Sequence, residues 1–156
     1  MEKTNVMRIL DQKKVPYTPH YYDRSTMDGM SVAAVTEESP ASVFKTLVTV
    51  GASKRNYVFV IPVHLELDLK KAAKVVGEKS IAMIKQAELL PLTGYIHGGC
   101  SPVGMKKQFR TVIHESAAEL PQMLVSAGRI GAQVELAPAD LAKLVRAEFN
   151  FVATEG

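Results

Sequence analysis

The spacing of apolar residues changes several times along this chain, and each change predicts an element. Val6, Ile9 and Leu10 fall on one face of a helix behind Thr4, a side chain suited to capping; Lys13 and Lys14 sit near its end and Pro16 stops it. Residues 17–22 (YTPHYY) read as a strand that Pro19 restricts to an edge. Residues 23–29 are polar and turn-rich and predict a mobile loop, and 31–38 a brief helix behind Ser31, ended by Pro40. The runs VFKTLVTV (43–50) and YVFVIPV (57–63) are β-branched and aromatic, and the polar GASKRN between them makes a hairpin.

Helical spacing returns at Asp68, where Leu69, Ala72, Ala73 and Val76 form an inward stripe, Gly77 supplies the stop, and Lys70, Lys71 and Lys74 lie on the other side. Residues 79–84 predict a strand and 86–90 a single helical turn ended by Pro91. Residues 95–97 then read as a strand running into a glycine loop, and 109–114 (FRTVIH) as the strand leaving it. A capping box at 116–119 allows one turn before Pro121. Residues 123–126 and 132–136 flank the turn GRIG as a second hairpin, and Pro138 opens a last helix with Leu141, Leu144 and Val145 inward. About seven short strands interleaved with helices, without regular βαβ spacing, predict an α+β fold: a curved mixed sheet or partial barrel with flanking helices.

Composition adds limits. With 156 residues, 47% apolar and 22% charged, the chain suits one domain over 1–156 with a sizeable core. The net charge of +3 permits an acidic partner without demanding one. One cysteine, Cys100, excludes an internal disulfide framework, and no His or Cys grouping has zinc spacing, so neither a metal nor another cofactor is expected. The N-terminus lacks a secretory pattern and no apolar run approaches the roughly 18 residues of a membrane span, so a cytoplasmic protein without membrane contact is expected.

Candidate chemistry gathers at two places. The stretch TGYIHGGCSPVG (93–104) is a shaped loop whose Gly98 and Gly99 permit close approach of a ligand to the main chain, and whose N–H groups can face an anion or a polarised carbonyl; a tight corner between strands is the plainer reading. Lys45 interrupts a nearly apolar strand and is either an edge lysine facing water or the cation of an anion or oxyanion site. His20, His64, His97 and His114 share no metal spacing or triad order, Cys100 has no assignable activating partner, and Ser101 lacks a nucleophile-elbow frame. The basic groups Lys70, Lys71, Lys74 and Lys106, Lys107, Arg110 could track a phosphate backbone, although a solvated helix face and loop is the plainer reading.

In combination and in order, FKTLV (44–48), LDLKKAAKVVG (67–77), TGYIHGGCSPVG (93–104) and VELAPADLAKLVRAEF (134–149) resemble the YbaK/EbsC family, the aminoacyl-tRNA deacylases related to the editing domain inserted in bacterial prolyl-tRNA synthetase. The resemblance implies that the chain hydrolyses cysteine from mischarged tRNA(Pro), and from tRNA(Cys), acting on the tRNA 3′ end with prolyl-tRNA synthetase as a partner. It implies a catalytic Lys45 with Gly98 and Gly99. Tyr22, Phe44, Thr46, Ser101, Pro102, Gly104 and Gln133 become substrate-binding positions. Gln133 stands where some Cys-specific relatives have aspartate, which leaves open a different small amino acid, as in Ala-tRNA(Pro), or a non-catalytic module that docks tRNA or a synthetase. The family mechanism uses the substrate thiol as nucleophile, which accounts for a chain in which no protein nucleophile is recognisable.

Overall fold

The computed structural model describes residues 3–22 and 39–154; the expected loop at 23–29 and helix at 31–38 lie outside the described residues. Thr4 caps α1 (Asn5–Gln12) by accepting a hydrogen bond from the Met7 N–H at 3.2 Å, and the helix buries Val6, Met7 and Leu10. β1 (Thr18–Tyr21) follows and among the described residues pairs only with the β8 strand (Ala132–Leu136), so Pro19 sits on an edge where its missing N–H costs no ladder bond.

The apolar run at the centre of the sequence forms β2 (Phe44–Gly51) and β3 (Asn56–Pro62), antiparallel with Phe44 opposite Pro62 and Val50 opposite Asn56. β3 is buried along almost its whole length because both of its faces are covered. On one face Phe44, Val48, Val58, Val60 and Ile113 pack with α1 and a second hairpin. On the other, Tyr57, Phe59, Ile61 and Val112 pack with α2 (Leu69–Val76) through Ala72, Ala73 and Val76. Phe59 is fully buried, and burial of a side chain of that size contributes about 1.5–3 kcal/mol. Asp68 accepts from the Lys71 N–H at 3.0 Å to start α2, and Gly77 ends it at φ 75°, in the left-handed region open to glycine.

The five-stranded sheet runs β5 (Ile81–Met83), β2, β3, β6 (Arg110–His114), β9 (Glu148–Asn150), with β3, β6 and β9 parallel. A three-stranded sheet runs β1, β8, β7 (Met123–Ser126), and a short ladder joins β4 (Glu66–Leu67) to β10 (Ala153–Thr154). The first two sheets meet where Val43 bridges Leu124. The remaining helices are α3 (Gln86–Thr93) and α4 (Pro138–Val145), which buries Leu141 and Val145 but leaves Leu144 partly exposed. The architecture is mixed α+β and the sheets do not close.

Several expected elements differ. Residues 95–97 are not a strand: the helix begun at Gln86 passes Pro91, ends at Gly94 (φ 85°), and its C-terminal turn is held by Thr93 Oγ1 donating to the Leu89 carbonyl at 2.7 Å. Pro91 therefore does not end that helix. The turn at 116–119 is a 3-10 helix (Glu115–Glu119) without a capping hydrogen bond from its N-cap side chain. Leu69 belongs to the exposed side of α2, 42% accessible, because the first helical residue projects beyond the sheet. β4, β9 and β10 raise the strand count among the described residues to ten, against about seven expected.

At the end of β6 the buried His114 accepts the Val152 N–H on Nδ1 at 3.2 Å, so that nitrogen must be unprotonated. Burial holds the His114 pKa below the ordinary 6.5, with Lys71 pushing the same way and Glu115 opposing. An unfolded chain takes up this proton as pH drops through 6.5 while the folded chain resists. The contribution to stability is thus complete above that value and declines as pH falls toward the folded pKa. Thermal melts from pH 7.5 to 5 should show this fall, and His114→Gln should flatten it; an unchanged slope in the variant would remove His114 as the cause.

Candidate functional site

β2 carries the site because its outer edge is only partly covered by the described residues. β5 pairs with it at Thr49, Val50 and Gly51, and β7 approaches its other end, where the Leu124 N–H donates to the Ser42 carbonyl at 2.9 Å. The Val48 carbonyl accepts from Ile84 N–H at 3.3 Å on the same side. Backbone groups point the same way at every second strand residue, so the N–H and C=O groups of Phe44 and Thr46 face the gap between β5 and β7.

A cavity of about 510 Å³ fills that gap, within the usual size of small-molecule sites. Phe44, Lys45, Thr46, Leu47 and Val48 line it from β2, Met83 and Ile84 from β5 and its exit, and Gln86 and Leu89 from α3. His97, Gly98 and Cys100 come from the glycine loop, and Ser126 and Gln133 from the β7–β8 hairpin, where they stand opposite each other. Tyr22 reaches the wall because its N–H donates to Gly131 C=O at 3.0 Å just past β1.

The polar groups are unevenly satisfied. Thr46 Oγ1 and Gln133 Oε1 are buried without a hydrogen-bond partner among the described residues, and Gln133 is only 5% exposed. A buried acceptor left unpaired costs about 1–3 kcal/mol, so this wall favours a ligand that brings donors. Lys45 lies on the α2 side of β2, with Nζ 3.8 Å from Glu66 Oε1 on β4. Cys100 faces the cavity as a thiol, since burial pushes its pKa up to about 12 and leaves almost no thiolate at neutral pH.

Of the residues expected at the site, Tyr22, Phe44, Lys45, Thr46, Gly98 and Gln133 line one cavity. Gly98 does so at φ 88°, and its N–H meets no backbone acceptor among the described residues, whereas the Gly99 N–H donates to the Ile96 carbonyl. Gly99, Ser101, Pro102 and Gly104 lie behind the wall and shape it. A Cβ on Gly99 would stand 3.0 Å from Arg129 Cα and 3.2 Å from Ile130 N, which seats the loop on the β7–β8 turn. The buried Ser101 hydroxyl accepts from Val103 N–H at 3.2 Å, and a Cβ on Gly104 would stand 2.9 Å from Tyr95 Oη. Gly99→Ala should therefore cost about 1–3 kcal/mol through displaced backbone. Measured thermal stability and cavity-ligand affinity should fall together; a fully stable variant would show that the loop does not depend on this contact.

The sequence reading missed Ser126, whose pairing with Gln133 was implicit in the hairpin, and Glu66, whose two-residue strand has no detectable period. Ile84, Leu89 and Val63 are apolar residues that only the fold brings to the cavity.

The family described as the aminoacyl-tRNA editing domain matches residues 24–144. The chain belongs to this family. It is 45% identical over 157 aligned positions, 99% of this chain and 95% of the other, to a protein of Enterococcus faecalis (strain ATCC 700802 / V583) described as a Cys-tRNA(Pro)/Cys-tRNA(Cys) deacylase, EbsC. A solved structure described as a trans-editing enzyme for prolyl tRNA synthetase superposes with a TM-score of 0.85 at 22% identity, covering 99% of each chain. The hypothetical protein APE2540 gives 0.88 at 21% identity, over 96% of this chain and 99% of that one. At these identities the two structures establish the fold. The editing-family membership thus agrees with the motifs that span FKTLV to the final helix.

Proposed function

We propose that this protein is an aminoacyl-tRNA deacylase that clears cysteine from mischarged tRNA(Pro) in trans, with Cys-tRNA(Cys) as a second substrate. The observation that carries the reading is a donor-seeking cavity beside Lys45 in an editing-family chain, with its only cysteine held as a thiol. In the reaction, the substrate's own sulfur attacks its ester carbonyl. The C–O bond to the tRNA ribose then breaks, the thiol proton passes to the leaving ribose oxygen, and a four-membered thiolactone departs. Lys45, swung from Glu66 around the edge of β2 into the cavity, joins the Gly98 N–H in stabilising the oxyanion that forms, and Gln133 Oε1 and Thr46 Oγ1 accept from the substrate's ammonium group.

The net charge of +3 gives weak general attraction to RNA, so prolyl-tRNA synthetase supplies recognition of the tRNA body, in the cytoplasm. Among the described residues no helix is long and apolar enough to cross a membrane. Incubation with Cys-tRNA(Pro), Ala-tRNA(Pro) and Cys-tRNA(Cys), following loss of the ester, tests the reading. Release of cysteine fastest from tRNA(Pro) is expected. A preference for alanine would move the assignment to that substrate, and tight binding with no ester loss from any of them would make the protein a docking module.

A further inference from the structure

Lys45 points away from the α1 side of the sheet, toward Glu66, and that direction leads to a second surface. Glu66 stands opposite Thr154 and Leu67 opposite Ala153, after which Asp68 N–H donates to the Val152 carbonyl at 2.8 Å. Phe151 comes next. It is 44% exposed, and Lys71 Nζ sits 4.2 Å from its ring centroid while His114 packs against it edge-on at 5.1 Å. Exposed Leu69 belongs to the same junction, and Lys70, Lys71 and Lys74 all lie on the exposed side of α2.

An exposed aromatic ring beside a lysine, on a helix that carries two more on its exposed side, suits the faces and phosphates of unpaired nucleotides. The ring is also held, because His114 both touches it and accepts from the neighbouring Val152 N–H. Two carboxylates also stand on the route, each opposite a lysine: Asp68 accepts from the Lys71 N–H and lies 3.9 Å from Lys71 Nζ, and Glu66 lies 3.8 Å from Lys45 Nζ.

We infer that Phe151 and the α2 lysines form a binding surface for the unpaired 3′ strand of tRNA, carrying it away from the cavity past Lys45 and Glu66. The inference rests on the proposed deacylase reading for the direction of the strand, with the terminal ester in the cavity. Phe151 is the stacking platform, and Lys70 and Lys74 contact phosphates.

The test uses the full chain and an uncharged fluorescent single-stranded RNA ending in CCA, so that binding is read without turnover. Phe151→Ala should weaken binding about ten-fold and Phe151→Trp should keep it within about two-fold. Lys70→Ser with Lys74→Ser should lower the slope of log affinity against log salt by on the order of 1. Binding by Phe151→Ala within two-fold of the parent, or an unchanged salt slope in the lysine variant, overturns the inference. So does a concentration-dependent dimer in sedimentation that Phe151→Ala abolishes without affecting RNA, since the patch would then join two copies. Turnover of Cys-tRNA(Pro) is followed in parallel. Phe151-dependent RNA binding without turnover sinks the deacylase reading alone, and normal turnover with an unaltered KM in Phe151→Ala sinks this inference alone.

Discussion

Lys45→Ala should lower single-turnover loss of cysteine from Cys-tRNA(Pro) by about 100- to 1000-fold, the cost of removing one charge-stabilising donor from an ester-cleaving site. Its fold should survive. Lys45 is partly exposed on β2, the exposed Glu66 carboxylate lies 3.8 Å from it, and an ion pair of that kind contributes about 0–1 kcal/mol. A melting temperature close to that of the parent, with the rate gone, separates catalysis from stability. Lys45→Arg keeps the charge but replaces a compact ammonium with a planar fork, and recovery of only a small part of the rate is expected. If Lys45→Ala cleaves at the parental rate, the site lies elsewhere.

Exchanging the substrate's thiol for a hydroxyl, with serine in place of cysteine on tRNA(Pro), should slow cleavage by at least about 100-fold. Both side chains would hold the attacking group equally close to the ester, but a serine hydroxyl is far less ionised and less nucleophilic than a thiol. The cavity itself has room for either side chain. Trapping the released product adds a second readout: a cysteine thiolactone captured by an added amine is expected, and ester loss that yields no captured product at high amine concentration would point to direct attack by water. Equal rates for the two substrates would eliminate thiol assistance and leave Lys45 acting on a water-driven reaction.

The elements legible in the sequence are those whose signals are local. Thr4, Asp68 and Gly77 mark helix ends through contacts within a turn, and the β-branched and aromatic runs at 43–50 and 57–63 place the central hairpin within a residue of its observed bounds. The parallel pairings of β3 with β6 and β6 with β9 join segments far apart in sequence and leave no local trace. β4 and β10 have two residues each, too few to show a period, although they bring Glu66 toward Lys45. Residues 95–97 misled because Tyr95 and Ile96 have strand-like side chains, while the left-handed glycines on either side set the path of the backbone.

The candidate site was legible in a different way. Lys45 stood out as a charge in an apolar strand, and the glycines stood out as a cluster, but their separation in sequence says nothing of a shared cavity. The ladder supplies that link: β2 carries Lys45 and Thr46 to the place where β5 and β7 leave it uncovered, and the β7–β8 hairpin carries Gln133 to the opposite wall. Gly99, Ser101, Pro102 and Gly104 share the loop motif with Gly98, so pattern alone could not distinguish the residue on the wall from those bracing it.

The interrupted edge of β2 also bears on how such a protein changes what it accepts. One wall belongs to β5 and α3, the other to the β7–β8 hairpin, and β2 touches both while no described residue pairs with its outer edge between Val43 and Val48. Lengthening or shortening the connection at Ile84 and Lys85 would therefore slide one wall past the other and leave every pair in the central ladder intact. Substrate size becomes adjustable by an insertion of one or two residues, a route of divergence that spares the core and needs no new side chain in the cavity.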